Sequence, residues 1–71
     1  MFTDQEVEVL ELDGFDVSYK TASIYIEPIQ FNIKKEQEKE YVVRICNKDN
    51  GEEKEESFKD LDSALNNVNE N

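Results

Sequence analysis

The 71-residue chain has no histidine and no tryptophan, one cysteine, one proline and two glycines. Each scarcity closes a class of function. Without histidine there is no ordinary neutral-pH base, no Ser-His or Cys-His nucleophile pair, and no common zinc ligand set. A lone Cys46 cannot close an intramolecular disulfide and offers at most one thiolate. Arg44 two residues away allows an activated thiol beside a cation, but a small buried hydrophobe is the expectation for Cys46. With only Gly14 and Gly51, no glycine-rich phosphate loop can be built. No apolar run approaches the roughly 20 residues that span a bilayer. Residues 1–6 lack a basic segment followed by an apolar one, so no secretory signal is expected. One unpaired cysteine and no signal point to a reducing cytoplasm.

Positive charge is scarce as well. Eighteen Asp and Glu oppose eight Lys and Arg, for a net charge of −10. On so small a surface this is a dense negative field. Binding a phosphate backbone requires cations that displace counterions, so direct nucleic-acid contact is not expected. Anionic membrane surfaces are disfavoured for the same reason. A basic protein partner is compatible with the field. The length suits one small acidic domain over residues 1–71, with 1–4 and 70–71 expected to be disordered.

What is present reads as strands, turns and one helix. Residues 41–46 are rich in β formers, and Asn50-Gly51 suits a two-residue hairpin turn. That turn predicts Asp49 opposite Glu52, Ile45 opposite Glu56, and Val43 opposite Phe58. Tyr41, Val43, Ile45 and Phe58 then share an apolar face. Phe58, Leu61, Ala64, Leu65 and Val68 recur at helical spacing. Asp60 suits the N-cap, with a start at Ser57 as the alternative, and the end should fray near Asn69.

Upstream, residues 6–12 read as a strand and Asp13-Gly14 as a second hairpin turn. The pairs would be Leu12 with Phe15, Leu10 with Val17, and Glu8 with Tyr19. Residues 21–23 read as a turn or bend. Residues 24–33 read as one strand broken at Pro28, or two short ones. Pro28 lacks a donor, which predicts a sheet edge or a bulge there. Residues 34–40 contain no apolar side chain and read as a solvated loop with strand ends, placing Ile33 opposite Tyr41 if the loop is odd. The fold class is therefore α+β: an antiparallel β-meander of four to five strands with one C-terminal helix packed on one face. The second sheet face would carry Val42, Cys46, Val7, Val9 and Tyr25.

Over roughly residues 29–69, the strand order, the Asn50-Gly51 turn and the Ser57-Phe58 entry into a helix resemble the small DNA-binding domains at integrase N-termini. Those domains combine a three-stranded sheet with a helix. The resemblance implies shared architecture. Where those domains are basic, this chain has Glu52, Glu53, Glu55 and Glu56.

Carboxylates are too abundant for any pair to mark a catalytic site, and a chain of this size rarely builds a cleft. No catalytic, metal or cofactor residues are expected, and the protein is read as a non-enzyme. An EF-hand placed on Gly51 would put Cys46 first, Lys48 third and Ser57 twelfth, which are the wrong ligands. The candidate partner-binding residues are Glu36, Glu38, Glu40, Glu52, Glu53, Glu55, Glu56, Asp60 and Asp62. Alternate carboxylates on a strand lie about 7 Å apart. Such rows can imitate nucleic-acid charge, or can simply solvate a face and guard a sheet edge. The expectation is an acidic module, monomeric or homodimeric, that binds a basic protein such as a nucleic-acid-binding enzyme. Its composition resembles small phage or mobile-element inhibitors. The alternative is a structural, oligomer-forming domain without such mimicry.

Overall fold

The computed structural model describes residues 1–70. In chain order the elements are α1 (Asp4–Leu12), β1 (Asp16–Ser18), β2 (Thr21–Ile26), β3 (Ile29–Gln37), β4 (Glu40–Asn47), β5 (Glu53–Phe58) and α2 (Leu61–Asn69). The five strands form one open antiparallel sheet in the order β1-β2-β3-β4-β5. The fold is α+β, as the alternation predicts, but it has two helices where the sequence reading had one.

The extra helix replaces the first expected hairpin. Thr3 caps α1: its hydroxyl accepts from the Glu6 N–H at 3.2 Å, and the Glu6 carboxylate accepts from the Thr3 N–H at 2.9 Å. This is a capping box, and it satisfies two otherwise orphaned donors. Phe2 and Val7 occupy the flanking positions of a hydrophobic staple, and both join the core. Phe2 is therefore buried and Asp4 helical, in the stretch expected to be disordered. Asp13-Gly14 does not turn a hairpin. It ends the helix, with Gly14 at φ 96°. The Gly14 N–H donates to Glu11 and the Phe15 N–H to Leu10, both at 3.0 Å. Those two bonds make a Schellman motif, and its apolar partners Leu10 and Phe15 are both buried.

Residues 21–23 are not a bend but the start of β2. The turn before it is Tyr19-Lys20, with Ser18 opposite Thr21. Pro28 sits at neither a sheet edge nor a bulge. It lies with Glu27 in the tight turn between β2 and β3, where Ile26 faces Ile29 and no ladder donor is required of it. The supposed loop 34–40 is mostly strand. β3 continues to Gln37 and turns through Glu38-Lys39 into β4. Ile33 lies opposite Val43 rather than Tyr41, and Lys35 opposite Tyr41. Glu36 is the extra residue of a bulge between the Lys35 and Gln37 pairings.

The β4–β5 hairpin also shifts by two residues. Val43 faces Glu56, Ile45 faces Lys54, and Phe58 faces Tyr41. The turn has four residues because asparagine side chains complete it. Asn47 Oδ1 accepts from the Asp49 N–H and Asn50 Oδ1 from the Glu52 N–H, each at 2.9 Å. The Gly51 N–H closes it on the Asn47 carbonyl at 2.8 Å. A shift of two preserves side-chain parity, so Phe58 keeps the face of Tyr41, Val43 and Ile45.

Cross-strand partners place Val17, Ala22, Ile24, Phe31, Ile33, Tyr41, Val43, Ile45 and Phe58 on one face. These residues, with Phe2, Leu10, Phe15 and the α2 residues Leu61, Ala64, Leu65 and Val68, make up the hydrophobic core and its margin. Asp60 is the N-cap of α2, its carboxylate accepting from the Ser63 N–H at 2.7 Å, and Ser57 belongs to β5 instead. Val42, Cys46 and Tyr25 lie on the second face, while Val7 and Val9 belong to α1.

Candidate functional site

The nine candidate carboxylates do not converge on one patch. Glu52, Glu53, Glu55 and Glu56 run along β5 and its approach, and all four are exposed. β5 is an edge strand, paired only with β4. Glu53 and Glu55 project to the second face beside Arg44. Glu55 lies directly opposite Arg44 in the ladder, while the guanidinium donates to Glu53. That hydrogen bond, with the Glu53 charge, holds Arg44 still more firmly protonated than usual. Glu56 projects to the other face and accepts from Asn67 Nδ2 at 3.1 Å.

Glu36 and Glu40 extend the second-face group. Both line a shallow depression of about 470 Å³ with Lys34, Val42, Arg44 and Glu55. Lys34 pairs with Glu36 at 3.2 Å. Glu38, Asp60 and Asp62 lie elsewhere. They rim a depression of about 570 Å³ near the start of both helices, together with Lys39, Lys59 and Leu61. The structure thus divides the set into a β5 and second-face group of six and a separate group of three.

The sequence reading missed a buried polar cluster. Lys35 is 3% exposed, and its Nζ lies 2.7 Å from Glu6 Oε1. The Tyr41 hydroxyl donates to Glu6 Oε2, and the Lys35 ammonium sits 5.1 Å from the centre of the Tyr41 ring. Burial alone would raise the Glu6 carboxyl, but hydrogen bonds from Lys35, Thr3 and Tyr41 and the Lys35 charge bring it down to about 2. Burial pulls Lys35 down, and the bonds and charges of Glu6 and Tyr41 outweigh it, so the ammonium ends above its ordinary range. Burial and the Glu6 carboxylate push Tyr41 up. No buried side-chain nitrogen or oxygen among the described residues lacks a partner. A signal for this cluster was present: continuing the alternation of Phe31 and Ile33 by one step puts Lys35 on the inward face. As a network that ties α1 to β3 and β4 and leaves no buried polar atom of its own without a partner, it is suited to holding the fold.

Cys46 is half-buried on the second face, between Gln30 and Glu53 in the ladder. Among the described residues, no group of three or more Cys, Asp or Glu is arranged to hold a metal ion. No helix of the described chain is long and apolar enough to cross a membrane. Comparison with protein-family models, with curated proteins and with solved structures finds no match for this chain.

Proposed function

We propose that this domain is a non-enzymatic acidic module of the cytoplasm that docks on a basic protein. Its carboxylates stand in for nucleic-acid charge on a nucleic-acid-binding enzyme, in the manner of a small phage or mobile-element inhibitor. One observation carries the reading: four exposed glutamates crowd one edge strand and its approach, and a single ion pair, Arg44 with Glu53, offsets them. Across the described residues only three ion pairs form, against eighteen acidic side chains. The surplus field is therefore free to attract a basic surface. In this reading both helices cover the apolar sheet face, leaving β5 and the second face to the partner. The alternative of a structural, oligomer-forming domain has less to draw on, because Val7 and Val9 lie in α1 and not on the second face.

The test is capture from a host lysate on the immobilised domain across a salt series. The expected result is retention of a basic nucleic-acid-binding protein at low salt, released as salt screens the charges. A variant with Glu52, Glu53, Glu55 and Glu56 all changed to Gln should retain far less. Failure to hold any such protein at low salt overturns the proposal. Sedimentation across concentration addresses the alternative, which requires a salt-insensitive dimer.

A further inference from the structure

We propose that the outer edge of β5 is a strand-addition site for an extended segment of the partner carrying lysine or arginine at alternate positions. The inference rests on the acidic-module reading above and gives it a binding mode.

The sheet has two edges, and they are unequal. β1 has three residues and β5 has six. β5 contains no proline and no bulge, and residues 53–57 are all exposed. Which of its backbone groups point outward follows from the ladder. In antiparallel pairing, hydrogen-bonded and non-hydrogen-bonded pairs alternate. The Asn47 N–H donates to the Glu52 carbonyl at 2.8 Å, so that pair is of the bonded kind. Stepping along the register, Lys54, Glu56 and Phe58 direct their backbone groups to β4. Glu53, Glu55 and Ser57 therefore turn their N–H and C=O groups away from the sheet.

These same residues send their side chains to the second face. An incoming strand that bonds to Glu53, Glu55 and Ser57 thus lays one row of its own side chains beside the Glu53 and Glu55 carboxylates. Opposite charges there favour pairing, and like charges oppose it. The edge consequently disfavours a second copy of itself, which would bring glutamates against glutamates. Charge complementarity selects a basic strand, with main-chain bonds giving affinity and the carboxylate row giving selectivity.

The experiment uses the intact domain and a short fluorescent peptide alternating lysine with threonine. A twin peptide carries the same charges but is N-methylated along one edge, so it cannot extend the ladder. The parent peptide should bind at low salt, and the methylated twin about tenfold or more weaker, as befits the loss of more than one hydrogen bond. Amide exchange at Glu53, Glu55 and Ser57 should slow in the saturated complex. On the protein side, Glu55→Pro removes one outward N–H and spares the β4 ladder. It should bind about tenfold more weakly than Glu55→Gln, which removes only the charge. Equal binding of both peptides, or unchanged exchange at those amides, overturns the inference even if a proline variant fails to fold. If binding instead disappears when Glu38, Asp60 and Asp62 are changed to Gln, Asn and Asn, the edge inference falls and the acidic-module reading stands. No binding of either peptide also overturns it, and the lysate capture then decides the wider reading alone.

Discussion

Glu6 and Glu53 each hold a cation, Lys35 and Arg44 respectively, in opposite surroundings. The Glu6 side chain is 16% exposed and its lysine 4%, whereas Glu53 and Arg44 are both half open to water. Inside, a missing partner would leave a desolvated charge, so the pair must stay complete. Outside, water and salt replace a lost partner readily, so the pair contributes little to stability and can be exchanged for another. An acid–base pair thus ties α1 to the sheet in one place, while at β5 the same kind of pair stays open to water.

The sharpest way to break the comparison is Glu6→Gln. It strands the Lys35 ammonium and should cost about 3–5 kcal/mol, much of the total for so small a domain. Urea unfolding of the variant measures it, and a midpoint equal to the parent's would mean that Lys35 finds water. The same cluster predicts a pH dependence. Glu6 titrates near its ordinary 4.5 when unfolded and at about 2 in the fold. Its contribution, of order 3 kcal/mol, is present above pH 4.5 and is lost as the pH falls toward 2. Lys35 and Tyr41 are both raised in the fold, so their contributions are present below their ordinary values and are lost as the pH rises through the folded ones. Melting midpoints across pH should fall on both limbs, and the acid limb should flatten in Glu6→Gln.

The two glycines give a smaller contrast between the same regions. Gly14 has φ 96°, and an added Cβ would lie 3.3 Å from Ile24 Cδ1; Gly51 has φ 75° and open space around it. Gly14→Ala should therefore cost about 2 kcal/mol and Gly51→Ala about 1 kcal/mol, read as melting shifts. The smallest effect belongs to Glu55→Gln, at or below about 0.5 kcal/mol. If its melt drops as far as that of Gly14→Ala, the β5 carboxylates belong to the fold and not to a partner.

Sequence pattern revealed faces better than registers. Both misaligned hairpins moved by two residues, so Ile33, Val43 and Phe58 kept their sides while their opposite numbers changed. Alternation fixes parity, but the Asn47 and Asn50 side chains and the Glu36 bulge set the actual count. Helix α1 was misread because Val7, Val9, Leu10 and Leu12 suit a strand. The spacing of Thr3 to Glu6 and the glycine at Gly14 together specified both helix ends. Of the candidate site, Glu53 and Glu55 were legible as a row. Their placement beside Arg44, and the separation of Glu38, Asp60 and Asp62, depend on pairings between strands and on where the helices begin. The Glu6 cluster joins residues 29 and 35 positions apart, a distance that no local pattern spans.

Because every strand pairs with its chain neighbour, the sheet can close one short loop at a time. Short loops lose little entropy on closing, and topologies built from local contacts fold quickly. The long-range bonds from Glu6 to Lys35 and Tyr41 should then be among the last to form, after the hairpins are in place. Their loss belongs to the escape rate from the native state and not to the search for it. A chevron for Glu6→Gln should show a lifted unfolding limb over a nearly unmoved folding limb, and a folding limb that carries the whole change would instead put α1 in the nucleus. On this expectation the clasp on α1 should set how long each molecule stays folded more than how fast it gets there.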